Sequence, residues 1–442
     1  MIYLQIEQAI DNVPNSKSYG FVSAILGMKI EAKGLQGFVS IGSLCTIHIP
    51  HKAPLKAEVI ALTEDKAILL PFGSIEGVSY GQRITLSRNQ TVIHPSEAWL
   101  GRVLNCFAEP IDGKPSPAKG EIPYGLINKP PNAHKRVRVH KKMDMGIRSI
   151  NTFLSCCEGQ RMGIFAGSGV GKSVLMSMIA KFSSADVIVI GLIGERGREV
   201  KEFIEDYLGE DGLKRSVVVV ATSDEPSLQR RQSAYTTMAI AEYFRDQGLH
   251  VLCLMDSVTR FALAQREIGL SIGEPPTTRG YTPTVFSLLP QLLERAGPGE
   301  QNQGCITALF SVLVEGSDMD EPIADAVRGI LDGHIVLERK IAERGRFPAI
   351  NILRSVSRTL MFCNTKEQTE LIDRAKKYMS VYDDMEDMIR IGAYRKGSDP
   401  TVDNAIDLRE DLETFLKQRA DEKADLELGY SHLRSILEKV KG

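Results

Sequence analysis

No cysteine pair in C-x-x-C spacing occurs in this chain, no apolar run is long enough to span a membrane, and no excess of either charge builds up. Each absence excludes something. Without a C-x-x-C pair, the seven cysteines read as buried thiols of a reducing compartment, not as zinc ligands or a disulfide framework. Cys253, for instance, lies inside the apolar run LHVLCLMD. The histidines add no zinc-motif spacing, so no structural metal site is expected. The amino terminus, MIYLQIEQAIDNVPNSK, lacks the basic start and long apolar stretch of a secretory signal, which makes a cytoplasmic location the expectation. A net charge of −2 removes the electrostatic case for nucleic acid as the main partner. Internal repeats and low-complexity segments are missing too.

What is present is a globular composition, 43% hydrophobic and 25% charged, spread over 442 residues, too many for one hydrophobic core. Residues 1–18 form an arm whose apolar positions fit neither a helix face nor a strand. Residues 19–88 carry short strand signals, YGFVSAILGMKIEAKG, GFVSIGSLCTIHIP, KAEVIALTEDKAILLPFG and GQRITL, punctuated by Gly or Asp. That pattern suits a small closed β-barrel. Residues 89–358 begin with a Pro-, Gly- and Lys-rich connection, whose basic run His134 to Lys142 reads either as a solvated linker or as a nucleic-acid patch without aromatic interleaving. Strands and helices then alternate. RMGIFAG, DVIVIGLIG, SVVVVATS, HVLCLMD and CITALFSVLVE are the strand candidates, and SVLMSMIAKFS and SAYTTMAIAEYFRDQG lie between them as helices. Such alternation predicts an α/β core with a parallel sheet covered on both faces. Residues 359–442 are almost wholly helical in pattern.

The segment GIFAGSGVGKSVLM has strand, Gly-rich turn and helix in the order a P-loop requires. Gly167, Gly169 and Gly171, with Ser168 and Val170 between them, let backbone N–H groups converge on phosphate oxygens, and the helix opening at Lys172, Ser173 and Val174 adds its partial positive charge. Lys172 can reach the β- and γ-phosphates of ATP, and the Ser173 hydroxyl can ligate Mg²⁺. The first motif position is Ala166 instead of Gly, still a small residue.

Two further strand ends bear carboxylates. HVLCLMD ends in Asp256, suited to hold Mg²⁺ through a bound water; Arg260, one turn later, either holds a γ-phosphate or makes an ordinary salt bridge. In VIVIGLIGERGREV, Gly194 cuts an apolar run, and Glu195, Arg196, Arg198 and Glu199 follow. Ligands of parallel α/β sheets sit beyond the carboxyl ends of the strands. A carboxylate there can orient and deprotonate the attacking water. Glu195 lies nearer the strand end than Glu199, which would more naturally pair with an Arg of its own helix, but chemistry alone does not decide between them.

From Tyr19 to the carboxyl terminus the chain resembles the ATPases of flagellar and injectisome type III export, relatives of the catalytic subunits of rotary ATP synthases. The resemblance rests on GQRMGIFAGSGVGKSVLMSMIA, GERGREV, MDSVTRFALAQREIGLSIGEPPTTRGYTP and GRFPAINILRSVSR. It implies a RecA/F1-like P-loop core with an amino-terminal barrel and a helical carboxyl-terminal domain, and an ATP hydrolase using ATP and Mg²⁺. By motif position it implies Glu195 as catalytic glutamate and Lys172 and Ser173 as P-loop residues. Asp256 becomes the metal-organising acid, Arg260 the γ-phosphate sensor, Phe347 the aromatic stacking on adenine with Tyr394 completing the pocket, and Arg358 an arginine finger acting on the neighbouring subunit's ATP.

A finger used in trans implies a homohexameric ring. The resemblance also implies a regulator dimer at the amino-terminal arm, a coiled-coil stalk facing REIGLSIGEPP in the pore, and export substrates and chaperones at the helical domain. It places such a ring at a membrane export gate, peripheral to the cytoplasmic face of the inner membrane, with no nucleic acid involved. Flagellar export is the first expectation. The alternatives are an injectisome ATPase, a rotary ATP synthase catalytic subunit, and an RNA-translocating helicase, which would need exposed aromatic and basic groups on the barrel.

Overall fold

The structure, a computed structural model, describes residues 19–88, 91–139, 141–314 and 318–440. The amino-terminal arm, and with it the expected regulator site, lies outside the described residues.

Alternation with period two builds the first unit. Strands β1 (Tyr19–Leu26), β2 (Lys29–Lys33), β3 (Leu44–Ile47), β4 (Leu55–Leu62), β5 (Ala67–Pro71) and β6 (Arg83–Arg88) pair antiparallel in the order β1-β2-β5-β4-β3-β6. β6 returns to β1 and closes a barrel. Val22, Ile30, Ala32, Ile47, Val59, Leu69 and Ile84 point inward and fill it. Closure pairs every strand edge, which a short open sheet could not do. The same compact unit takes in residues 225–229 and 264–283.

Runs of apolar residues build the second unit. Its sheet contains β7 (Arg102–Leu104), β8 (Arg161–Ala166), β9 (Val187–Glu195), β10 (Ser216–Thr222), β11 (His250–Asp256), β12 (Cys305–Leu313), β13 (Gly333–Leu337) and β14 (Ile350–Ser357). The order is β14-β13-β8-β12-β11-β9-β10-β7. Neighbours run parallel except β14, which is antiparallel to β13. Every residue of β11, and all of β9 up to Glu195, is buried, as a sheet covered on both faces demands. Helices α1 (Lys172–Phe182), α2 (Ser227–Asp246) and α3 (Val258–Ser271) follow β8, β10 and β11.

The five strand candidates appear as β8 to β12. Three other strands had no sequence signal strong enough to mark them. β7 is three residues long, β13 five, and β14 is an edge strand whose exposed Leu353, Arg354 and Val356 break any simple burial pattern.

Beyond β14 come α4 (Lys366–Arg390), α5 (Pro400–Leu416) and α6 (Leu426–Leu437). Each has a side-chain cap: a capping box of Thr365 and Gln368, then Asp399 before Pro400, then Asp425. Their apolar faces do not form a separate core. Ile372, Leu408, Phe415, Tyr430 and Leu433 join one cluster with Ile150 and Phe153, and Phe153 meets Phe415 edge-on at 6.0 Å. The helices and the sheet are therefore one compact unit. No described helix is long and apolar enough to cross a membrane.

Candidate active site at the carboxyl ends of the strands

β8 delivers the chain to the Gly-rich turn. Ala166, fully buried and paired with Leu313 and Leu337, is still part of the sheet, so the small residue at the first motif position is set by packing. Gly169 and Gly171 then take φ of 75° and 90°, left-handed values that cost a Cβ-bearing residue about 1–2 kcal/mol. Gly171 opens α1, where its carbonyl accepts the first intrahelical bond, from Leu175 N at 3.0 Å. Val170 is buried and Val174 packs on the core, so both anchor the loop and leave only backbone for a ligand. The Ser168 carbonyl accepts from Arg339 Nη2 at 3.2 Å.

Three chemically matched groups meet beside this loop. Asp256 ends β11 almost fully buried, and one of its carboxylate oxygens accepts from Ser311 Oγ at 2.5 Å. The Lys172 ammonium touches that same oxygen and stands 3.4 Å from Glu195 Oε1. Burial works against the lysine charge, but Asp256 and Glu195 outweigh it and hold its pKa above the usual lysine value. Glu195 is different. Burial pushes its pKa up to about 7, with the Asp256 charge adding to the rise and Lys172 opposing it. A carboxyl group titrating there is suited to exchange protons near neutral pH. Glu199, one turn into the next helix, hydrogen-bonds to Glu195 and lies 3.5 Å from Arg196; Arg198 pairs with Glu202 at 2.7 Å.

Gly194 aims Glu195. Its φ is 70°, and the register between β9 and β10 shifts there, so the carboxylate leaves the sheet at a bulge. A Cβ on Gly194 would lie 2.8 Å from Arg260 Cβ and 2.9 Å from Cγ. The stem of Arg260 thus rests on the bare glycine. Its Nε is buried with no hydrogen-bond partner among the described residues, which leaves a donor for an anion. Gly194→Ala should displace both Arg260 and Glu195 and lower kcat for ATP hydrolysis by about 10- to 100-fold, with far-ultraviolet circular dichroism unchanged. A variant that folds and hydrolyses ATP at the parental rate would contradict this.

Phe347, 45% exposed, lies against the loop, for a Cβ on Gly171 would be 3.5 Å from its Cδ1. Its carbonyl accepts from Gln418 N at 2.9 Å. Tyr394 sits in the turn between α4 and α5, where its hydroxyl is tied to the Asp399 carbonyl and to Asp403, each at 3.0 Å. Arg358 is at the other end of the sheet. Its N–H bonds the Asp332 carbonyl at 2.9 Å, and Asp332 bonds Arg161, which begins β8, whereas the P-loop leaves β8 at Ala166. Five strand steps, about 16 Å, separate the two ends. The exposed Arg358 guanidinium makes one 3.5 Å contact, with the Arg328 carbonyl.

The geometry fits Mg·ATP: left-handed glycines opening a helix, a lysine held by two carboxylates, a half-buried Ser173 next to it, and a guanidinium N–H unpartnered among the described residues. Sequence reasoning passed over Ser311, and read Gly194 only as the break in an apolar run, not as the seat of Arg260. Ser311 had a readable signal, a hydroxyl inside the buried run CITALFSVLVE, where a polar group needs a partner.

Comparison with known proteins agrees. The nucleotide-binding domain of the ATP synthase alpha/beta family matches residues 146–357, its beta-barrel domain matches residues 22–87, and the T3SS EscN ATPase C-terminal domain matches residues 364–435. A flagellum-specific ATP synthase of Caulobacter vibrioides is 55% identical over 97% of this chain and 98% of its own. The chain is a type III export ATPase of the ATP synthase alpha/beta family. A type 3 secretion system ATPase of Xanthomonas euvesicatoria is 44% identical, over 98% of this chain and 97% of its own. The assembled ATPase EscN of the enteropathogenic E. coli type III secretion system superposes with a TM-score of 0.89 at 42% identity, covering 95% of this chain and all of EscN. EscN in complex with its central stalk EscO gives 0.87 at 41%, with the same coverage. As an export ATPase the chain is an ATP hydrolase. The match to the T3SS EscN ATPase C-terminal domain falls on α4 to α6.

Proposed function

We propose that this export ATPase works as a homohexameric ring that hydrolyses Mg·ATP to energise flagellar protein export. One observation carries the reading: Glu195 and Asp256, from two separate strand ends, meet Lys172, the first residue of the helix that follows the Gly-rich loop. The higher identity to a flagellum-specific relative than to a secretion-system one, 55% against 44%, favours the flagellar branch over the injectisome.

The residues divide the work. Before nucleotide arrives, the Lys172 ammonium is held by Glu195 and Asp256. Phosphates seated on the backbone of Gly167 to Ser173 draw that ammonium to the β- and γ-oxygens and free both carboxylates. Ser173 Oγ and, through a water, Asp256 would hold Mg²⁺, which would supply positive charge to the phosphates. Ser311 keeps Asp256 turned toward the site. Glu195 takes a proton from the attacking water as the oxygen–phosphorus bond forms and the bond to the leaving diphosphate breaks. Arg260 steadies the γ-phosphate, and Phe347 stacks on adenine, with Tyr394 at the pocket's outer side. Arg358, from the next subunit, offsets the charge that develops.

EscN is known assembled and with a central stalk, and the same arrangement here would put REIGLSIGEPP toward a coiled-coil stalk. Export substrates and chaperones would meet the helical segment, and a regulator dimer the arm, at a cytoplasmic ring beside the membrane export gate. No step calls for nucleic acid.

A strain lacking its own flagellar export ATPase, supplied with this chain, tests the reading. Hook and filament proteins should return to the medium, and Lys172→Ala should return none. Rescue of injectisome secretion with no rescue of flagellar export would overturn the flagellar assignment.

A further inference from the structure

The amino-terminal ends of β11 and β12 carry a second cluster, far from the nucleotide. His250 and Cys305 are the first residues of those strands and stand directly opposite each other in the parallel register. Their side chains therefore leave the sheet side by side. Glu158 is brought to them by a tethered turn: Glu158 N bonds the Lys141 carbonyl and Gly159 N bonds Thr307 Oγ1, both at 2.8 Å. A His250 ring nitrogen, Cys305 Sγ and a Glu158 oxygen all lie within 4.8 Å of one another, and Nδ1 is 3.5 Å from Glu158 Oε1. The other ring nitrogen, Nε2, is fixed on Thr307 Oγ1 at 2.9 Å. Asp186, which accepts from His250 N at 2.8 Å, flanks the group. These residues stand at 158, 250 and 305 in the chain, so no spacing in the sequence hints at them.

We infer that Glu158, His250 and Cys305 form a binding site for a borderline-soft divalent cation, Zn²⁺ being the best match. One thiolate, one imidazole and one carboxylate make a three-ligand zinc set with a fourth position for water, and Mg²⁺ has no comparable use for sulfur or nitrogen. Thr307 supplies the partner that fixes the ring so that Nδ1 faces the metal. Six strand steps along β11, about 20 Å, separate His250 from Asp256, so this cation is not the one that accompanies ATP. The present occupant of the carboxylate is Lys141, whose ammonium lies 2.7 Å from Glu158 Oε1. Its side chain is 72% exposed and swings away at little cost. A cysteine thiol is mostly S–H at neutral pH, whereas the metal ligand is the thiolate. Binding then releases that proton to solvent as the metal–sulfur bond forms.

The test uses the full chain, freed of metal by chelation and held in excess Mg²⁺. Zn²⁺ titrated calorimetrically should bind with one equivalent per chain, and proton release should appear as a dependence of the heat on buffer ionisation. Co²⁺ in place of Zn²⁺ should give a thiolate-to-cobalt charge-transfer band. Cys305→Ser should abolish that band, and Thr307→Val should weaken Zn²⁺ binding about 10- to 100-fold. Glu158→Gln keeps the size of the side chain and should weaken Zn²⁺ binding without unfolding the protein, so the inference survives a failure of Cys305→Ser to fold. No band in the wild type, a band that persists in Cys305→Ser, or unchanged Zn²⁺ affinity in Glu158→Gln would overturn it. Lys172→Ala should leave Zn²⁺ binding intact, which keeps this test separate from that of the ATPase site.

Discussion

Glu195→Gln is expected to lower kcat for ATP hydrolysis by about 10²- to 10⁴-fold while Mg·ATP still binds. Glutamine keeps the length and shape of the side chain, so the bulge at Gly194 and the packing of Arg260 have no reason to change. It removes the group that accepts the proton from water, and it removes one of the two negative charges that hold Lys172 before nucleotide arrives. The second loss favours transfer of the ammonium to phosphate, so affinity should be unchanged or higher. Phosphate release and titration with a fluorescent ATP analogue separate the two effects. Substantial remaining turnover in Glu195→Gln would remove this residue as the base. The wild type should also show its pKa. Only the deprotonated carboxylate acts as a base, so kcat/KM should rise through about pH 7 and level off above it. Glu199 supplies a control. A glutamine there can donate to the Glu195 carboxylate, which favours its charged form, so Glu199→Gln should move the acid limb to lower pH and leave the plateau in place.

How much of this was legible beforehand follows from what kind of physics set each feature. The five central strands announced themselves because burial on both faces demands uninterrupted apolar runs, and the P-loop did so because its glycines and its lysine serve a ligand. The edge strands β7 and β14 did not, β7 because it is only three residues long and β14 because one side faces no neighbour and its burial is patchy. Lys172 was legible as a P-loop residue, and Glu195 and Asp256 singly as residues at strand ends. Their meeting was not, for it depends on the order β8-β12-β11-β9, which no local pattern encodes. Ser311 reaches Asp256 across two adjacent strands, and the Glu158–His250–Cys305 group spans a turn and two strand starts. Both are products of register. The helical segment was legible as helices, but its fusion to the sheet through Phe153 and Phe415 depends on which faces turn inward.

Arg358 turns register into a claim about assembly. β14 runs antiparallel to β13, so its end returns to the amino ends of the parallel strands, while the P-loop opens at their carboxyl ends. The arginine is therefore directed away from its own Lys172, and its guanidinium is exposed, with a 3.5 Å contact to the Arg328 carbonyl. A guanidinium exposed in this way is suited to a phosphate on a neighbouring chain, where a finger contributes about 10³- to 10⁵-fold in rate. Arg358→Ala alone should then bind Mg·ATP and hydrolyse it hardly at all, and Lys172→Ala should do neither well. Mixed in equal amounts, the two inactive variants complement each other. Wherever a subunit with Lys172 intact faces one with Arg358 intact, a complete site forms, and random mixing makes about a quarter of all sites complete. Activity should therefore recover to a sizeable fraction of the wild type after mixing and should depend on total protein concentration. A finger acting within its own chain predicts no recovery at any ratio, because every Arg358→Ala chain would carry its defect with it. Exchange of fluorescently labelled subunits must be followed in the same samples. If rings exchange subunits and activity stays absent, Arg358 does not act across the interface.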